Sequence, residues 1–405
     1  MNRIILTNQH SDNRGDEAAT IGSVKSLRRY FGGDAQITMY LQSGTRHKFL
    51  PDVYNVMEKP MLIGAWSTLE LLIWIVFKAI EIDVRGVCSQ RLREFLSAHE
   101  QAAVVISSCA GPYIGDIYIN HEFLHIAHMA VPILLGKKTA FYAPSMGPFR
   151  NKFMNVFRKM MLDRVGVIIL RDAPSFDYVK EFLPEHKHVY LTTDSCLADE
   201  LEPGDGILRT DFIGVTLLDY KYPLAADRRA RKERYEQAVV RALNALMEEN
   251  PHLMVEFFPQ LYARHTDLPF IRRIIAKLKN PERTIIFPDG ESGREQQREI
   301  ARLEYMIATR HHAAVFACKV HTPVVCIVYE YKAAAFMKSL GLEEYCVDIY
   351  QISADVLLQK IRELKRNSGK IKAEMPAKIR QLSELANTTA RLLHEYVTGN
   401  LEARE

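Results

Sequence analysis

Residues 165–175 read VGVIILRDAPS, and this short stretch decides the fold. Val165 to Leu170 is a run of β-branched and aliphatic residues around one glycine, without polar alternation, the pattern of a strand buried on both faces. It runs into Arg171-Asp172 and then Ala-Pro-Ser, a sequence that opens a helix. A strand passing directly into a helix is the building unit of a parallel α/β sheet. The same pattern recurs outward at Ile4–Leu6, Ala102–Ser107 (AAVVIS), Lys138–Tyr142 and His188–Leu191, with a helix expected over Glu17–Tyr30.

Residues 200–206, ELEPGDG, then break the pattern with the Pro, Gly and acidic residues of a linker. It restarts with strands expected at Phe212–Leu217, Met254–Phe258, Thr284–Phe287 and Val324–Val328. Helices are expected at Arg228–Glu249, within Glu291–Ile307, and at Ala314–Lys319, Asp355–Gly369 and Lys378–Tyr396. The expected class is therefore α/β, with two Rossmann-like domains facing across a cleft. Residues 1–203 form the N-terminal domain, 204–380 the C-terminal domain, and 381–405 a C-terminal helix and tail. Ligands in such folds bind beyond the carboxyl ends of the strands.

Composition excludes several classes. The 405 residues carry 53 Lys+Arg against 49 Asp+Glu, and 48% are apolar. This is ordinary globular usage, not that of a disordered, collagen-like or heptad-repeat chain. A net charge of +4 is too small to argue for nucleic acid as a partner. The six cysteines include no C-x-x-C pair, and His311, His312 and His321 lack i, i+4 spacing on one helix with an acid, so no metal site is expected there. Scattered thiols suit a reducing compartment, and MNRIILTNQH begins with a strand rather than a signal-peptide core. A cytoplasmic protein is expected.

Met61–Ile80, MLIGAWSTLELLIWIVFKAI, departs from that picture. On a helical wheel Ser67, Glu70, Lys78 and Trp74 share one narrow strip, and the rest of the circumference is apolar. Three readings apply: a helix buried in the fold, a helix lying in the membrane interface, or a span. Interfacial docking would place the protein at the inner face of the cell membrane. The basic run Lys360, Arg362, Lys365, Arg366, Lys370 and Lys372 would assist it, unless that run is simply a solvated helix face.

The motifs that carry chemistry sit where strands end. Asn13-Arg14-Gly15-Asp16-Glu17 opens the first long helix, where Gly allows close approach and a helix N-terminus favours anions or acceptor hydroxyls. Helix capping explains Asp16 and Glu17 equally well. Ser108–Asp116 (SCAGPYIGD) and Tyr142–Phe149 (YAPSMGPF) are small-residue loops after strands. Arg171, leaving a buried strand, suits bidentate contact with carboxylate or phosphate, or a salt bridge to a nearby acid. Arg310-His311-His312 precedes a small-residue helix, and Lys332 follows the next strand. No G-x-S-x-G elbow, P-loop or G-x-G-x-x-G is present.

In this order the motifs resemble the polysaccharide pyruvyl transferase family, of the colanic-acid and cell-wall type. The resemblance rests on N-x-G-D-E-A at Asn13–Ala18, S-x-G-P-F at Ser145–Phe149 and R-D-x-x-S at Arg171–Ser175. It continues with Asp194, R-x-H at Arg310–His312 and Y-x-x-K at Tyr329–Lys332. Two positions depart from the pattern. The family's Gly-Gly-Gly loop is Cys109-Ala110-Gly111, which narrows its approach to ligand, and the Gly of G-x-P is His321, read as packing variation.

The resemblance implies a GT-B-like fold and transfer of the enolpyruvyl group of phosphoenolpyruvate to a sugar of an exopolysaccharide or cell-wall glycan precursor. It implies no cofactor beyond phosphoenolpyruvate as co-substrate. His312 is implied as acid/base, Arg171, Lys332 and Arg310 as phosphoenolpyruvate ligands, and Asn13, Gly15, Asp16 and Glu17 as the acceptor side. The acceptor is a sugar, lipid-linked or free. A GT-B-type sugar-nucleotide glycosyltransferase, or a non-catalytic member in polysaccharide assembly, are the alternatives.

Overall fold

The computed structural model describes residues 3–42, 50, 54–110, 113–117, 119–201, 207–222, 225–262 and 266–401. Gly111 of the small-residue loop and residues 202–206 of the linker lie outside them. The chain divides into two units, one of Met1–Asp12, Asp16–Asp199 and Ser383–Glu405, the other of Asn13–Gly15 and Glu200–Leu382.

The first unit runs β1 (Arg3–Gln9), α1 (Arg14–Phe31), β2 (Gln36–Leu41), β3 (Met57–Pro60), α2 (Ala65–Ala79), α3 (Gln90–Glu100), β4 (Val104–Ser107) and α4 (Ile119–Leu134). It continues with β5 (Lys138–Tyr142), α5 (Lys152–Leu162), β6 (Val167–Leu170), α6 (Ala173–Phe182) and β7 (Val189–Leu191). The strands form one parallel sheet in the order β3-β2-β1-β4-β5-β6-β7. Strand order reverses between β1 and β4, so the loops after these two strands flank the switch point where such sheets bind ligands. Every residue of β4 and β6 is buried, as their unbroken apolar runs demand.

Strands β2 and β3 fall where no strand was expected. QITMYL mixes polar and flexible residues into a buried strand, and MEKP is an edge strand that can tolerate charge and a terminal Pro.

Helix α2 turns the expected amphipathicity inside out. Its polar strip faces the protein: Trp74 is 1% exposed, and Glu70 accepts hydrogen bonds from the backbone N–H and the hydroxyl of Ser89. The opposite, apolar face carries Trp66 at 76% exposure. No helix among the described residues is long and apolar enough to cross a membrane.

The second unit runs β8 (Arg209–Thr216), α7 (Arg228–Glu249), β9 (Met254–Phe257), α8 (Leu268–Ile275), β10 (Thr284–Ile286), α9 (Gly293–Ile300) and β11 (Leu303–Ala308). It ends with α10 (His311–Lys319), β12 (Val324–Val328), α11 (Tyr331–Ser339), β13 (Cys346–Asp348) and α12 (Ala354–Thr398). Its parallel sheet has the order β10-β9-β8-β11-β12-β13, with the switch point between β8 and β11. The LEYMIA of β11 lies partly in a stretch expected to contain helix, because Leu, Glu, Met and Ala favour helices and burial between two strands overrides them. The two expected C-terminal helices are one, since Pro376 lies inside an uninterrupted α12. A helical Pro removes one backbone hydrogen bond, and neighbouring turns and packing carry the helix past it. Residues of α12 up to Leu382 belong to the second unit and those from Ser383 to the first.

Candidate active site

In the second unit, Ala308 at the end of β11 pairs with Thr216 at the end of β8. Thr309 continues this junction by donating its N–H to the Thr216 carbonyl at 3.2 Å and to its hydroxyl oxygen at 3.1 Å. The Thr309 hydroxyl also meets the Tyr235 phenol at 2.9 Å, and burial pushes that phenol up to about 12. Arg310 is the N-cap residue of α10, in extended backbone. Its guanidinium pairs with Asp267, a buried carboxylate that also accepts the backbone N–H groups of Gln260 at 2.9 Å and Leu261 at 3.1 Å.

His311 and His312 then open α10, with ring centroids 5.0 Å apart. From Ala313 to Lys319 every residue of this helix is buried. The small side chains of AAVFAC let it seat deeply, so the two imidazoles stand on a rigid base.

The same unit includes Asn13–Gly15. The Arg14 side chain is fully buried and donates to four backbone carbonyls, those of Pro259 at 3.0 Å, Pro288 at 3.3 Å, Asp289 at 3.0 Å and Glu291 at 3.1 Å. Its backbone N–H donates to Gln260 at 3.0 Å. Asn13 caps α1, its side-chain oxygen accepting the Gly15 N–H at 2.8 Å. This fastening presses Gly15 onto His312. A Cβ at position 15 would overlap the Cβ, Cγ and Nδ1 of the imidazole. Only glycine fits there.

Beyond β12, Lys332 lies in the first turn of α11 and pairs with Glu330 at 3.0 Å. Burial pushes the nearby Tyr329 phenol up, and Lys332 pulls it back. His321, where the resembling family has Gly, has φ 63°. That is the left-handed region a glycine enters freely, so the substitution falls on backbone conformation rather than packing.

In the first unit, Arg171 at the end of β6 donates from Nη1 to Asp194 at 2.9 Å and from Nε to the Ser145 hydroxyl oxygen at 2.9 Å. The Ser145 hydroxyl donates to Asp172 at 2.7 Å, and Asp172 caps α6 by accepting the Ser175 N–H at 2.9 Å. The Ser175 hydroxyl accepts the Met146 N–H at 2.9 Å. The S-x-G-P and R-D-x-x-S motifs are thus two halves of one network, with a cis Gly147–Pro148 bond beside it. Asp16 and Glu17 occupy the first turn of α1, and Glu17 is buried. Cys109 is buried, its thiol donating to the Ala19 carbonyl at 3.4 Å, and burial raises it to about 11. It is a neutral packing residue.

The expected residues therefore divide between the units. Asn13, Gly15, Arg310, His312 and Lys332 belong to the second; Asp16, Glu17 and Arg171 belong to the first. Each of Arg171, Arg310 and Lys332 has a carboxylate partner. Sequence reasoning passed over Arg14 and Asp267. Arg14 carried a signal, being the one long cation inside a small and acidic motif. Asp267, in TDLP, looks like any residue that opens a helix.

A sequence model of the family described as Polysaccharide pyruvyl transferase matches residues 13–331, from the Asn13 cap to the start of α11. The chain belongs to that family. It is also similar to the amylovoran biosynthesis protein AmsJ of Erwinia amylovora, 21% identical over 411 residues, covering 95% of this chain and 97% of that protein. Its fold is GT-B-like. It resembles an S. aureus MnaA–UDP structure (TM-score 0.62, 12% identity, covering 100% of this chain and 99% of that one). It also resembles Anabaena HepE in complex with UDP and glucose (TM-score 0.59, 9% identity, 98% and 100% covered). At such identity these likenesses concern the fold alone. This family member keeps the R-x-H and Y-x-x-K motifs at strand ends of its second sheet.

Proposed function

We propose that this family member transfers the enolpyruvyl group of phosphoenolpyruvate to two hydroxyls of one sugar in a polysaccharide precursor, forming a pyruvate ketal. The observation that carries this reading is the placement of His312. It projects from a helix buried from Ala313 to Lys319 at the β8/β11 switch point, held against Gly15 by the Arg14 anchor.

In the reaction two C–O bonds form at C2 of phosphoenolpyruvate, and the C2–O bond to phosphate breaks. The methylene carbon gains one proton and the departing phosphate takes the second. Both protons come from the two sugar hydroxyls. An imidazole can donate to the vinyl carbon and then accept from the attacking hydroxyl, which is the role proposed for His312. Phosphoenolpyruvate carries a carboxylate and a phosphate. Arg171 and Arg310 suit bidentate grip, and Lys332 supplies a compact charge for the phosphate as it leaves. Asn13, Gly15, Asp16 and Glu17 are assigned to the acceptor side.

Incubation with phosphoenolpyruvate and a panel of lipid-linked and free oligosaccharides, read by mass spectrometry, tests this. A ketal product with release of inorganic phosphate is expected. Transfer from a sugar nucleotide, with release of a nucleoside diphosphate, would contradict it.

A further inference from the structure

Helices α2, α4 and α5 of the first unit are neighbours, α4 packing against both of the others. Beneath α2, Val131 of α4 joins Leu71 and Trp74 in one core cluster. Beneath α5, Ile126 and Met129 join Met154 and Met161 in another. With these inner faces filled, the outer faces should be polar. They are not. Trp66, Ile73 and Val76 on α2 and Phe153, Val156 and Met160 on α5 are all exposed, Phe153 at 72%. Exposed Phe123 of α4 meets Phe157 of α5 with ring centroids 6.0 Å apart, extending the apolar surface from one helix to the next. Large exposed apolar surface of this kind marks an interaction site.

The charge along its α5 flank points to the partner. Between residues 150 and 164, Arg150, Lys152, Lys159 and Arg164 are exposed, against a single acid, Asp163, which pairs with Lys159 at 3.0 Å. Exposed aromatics flanked by Lys and Arg suit the boundary between acyl chains and anionic headgroups. A second copy of the chain fits less well, because a two-fold contact through this face would set basic rims against each other. The basic run on α12 belongs to the other unit, and Lys360, Arg362, Lys365 and Lys370 pair there with Glu363, Glu249, Glu304 and Glu374.

We infer that the outer face of α2, α4 and α5 docks on an anionic lipid bilayer. The inference stands apart from the reaction proposed above, and its test does not use turnover.

The full chain is floated with vesicles containing phosphatidylglycerol and with vesicles of phosphatidylcholine alone. Binding to the anionic vesicles that weakens with salt is expected. Substituting Trp66→Ser, Val76→Ser and Phe153→Ser together should lower it at least about tenfold. Lys152→Glu with Lys159→Glu should remove the preference for phosphatidylglycerol. Of the two tryptophans, Trp74 is buried, so Trp66 reports alone from the surface. Brominated lipid should quench its emission, and Trp66→Phe should abolish that quenching. This decides the matter even if the triple variant fails to fold. No flotation with either vesicle, or binding unchanged in the triple variant, would overturn the inference. So would concentration-dependent self-association through the same residues without lipid binding.

Discussion

Gly15 lies so close to His312 that the smallest possible side chain at position 15 would take the space of the imidazole's own Cβ, Cγ and Nδ1. The contact is held from one side by the buried Arg14 guanidinium and from the other by α10, buried from Ala313 to Lys319. A glycine whose role is to seat a ring is sensitive to a single methyl. Gly15→Ala is expected to lower kcat about 10- to 100-fold, the cost of a misplaced acid/base group. It should leave the far-ultraviolet circular dichroism unchanged. Steady-state kinetics of phosphate release checks this, and an unaltered kcat would remove His312 positioning from the account.

Lys332 is expected to act on binding more than on the proton transfers. Lys332→Met removes the charge but keeps most of the apolar stem. It should raise KM for phosphoenolpyruvate at least about tenfold, with a smaller change in kcat. KM and kcat comparable to those of the parent enzyme would show that Lys332 does not bind phosphoenolpyruvate.

Stability should fall as the pH drops below the ordinary histidine range. His99 is fully buried between the rings of Tyr40 and Phe95, at centroid distances of 5.4 and 4.1 Å. Its Nδ1 donates to the Phe95 carbonyl at 2.8 Å, and His128 Nδ1 donates likewise to Leu124 at 2.9 Å. Burial pushes both imidazoles down to about 4. Above pH 6.5 both are neutral, folded or unfolded. Between 6.5 and 4 the unfolded chain takes up protons that the folded one refuses, so stability is lost as pH falls. The loss is of order 2–3 kcal/mol for each group once pH 4 is approached. Thermal melts from pH 7.5 to 4.5 check it, and His99→Phe should make the decline shallower. A flat profile over that range would contradict the burial of these rings.

Arg158 and Glu122 are both fully buried and joined by two hydrogen bonds of 2.7 Å. Removing the Arg158 charge strands the buried Glu122 carboxylate in a medium that cannot solvate it, whereas removing the Glu122 charge leaves Arg158 paired with Asp116 at 2.7 Å. Arg158→Met is therefore expected to cost about 3–5 kcal/mol, and Glu122→Gln less. Urea denaturation of the three chains checks the ordering.

The sequence made the parallel sheets legible because β4, β6 and β12 are buried on both faces, and burial writes itself as an unbroken apolar run. It could not show strand order, which depends on crossovers rather than composition. Strand β11, from which His312 is carried, was hidden by helix-favouring Leu303, Glu304 and Met306, and β2 by Gln36 and Thr38. The motifs were visible as residue types at strand ends. Their partnerships were not: nothing in the spelling of residues 13–15 joins Arg14 to carbonyls some 245 to 277 positions away. Nor could Asp267 be tied to Arg310 before the chain was folded. Helix α2 was legible as an amphipathic helix, but the direction its polar strip faces is a tertiary property.

His312 is the centre of the proposed chemistry. Its most direct test is phosphate release from phosphoenolpyruvate in the presence of an accepted sugar, comparing the parent enzyme with His312→Ala. A loss of about 10²- to 10⁴-fold is expected, the usual range for a general acid/base. Thermal stabilisation by phosphoenolpyruvate should survive in the variant, because Arg171, Arg310 and Lys332 remain. Turnover near that of the parent would contradict the acid/base role.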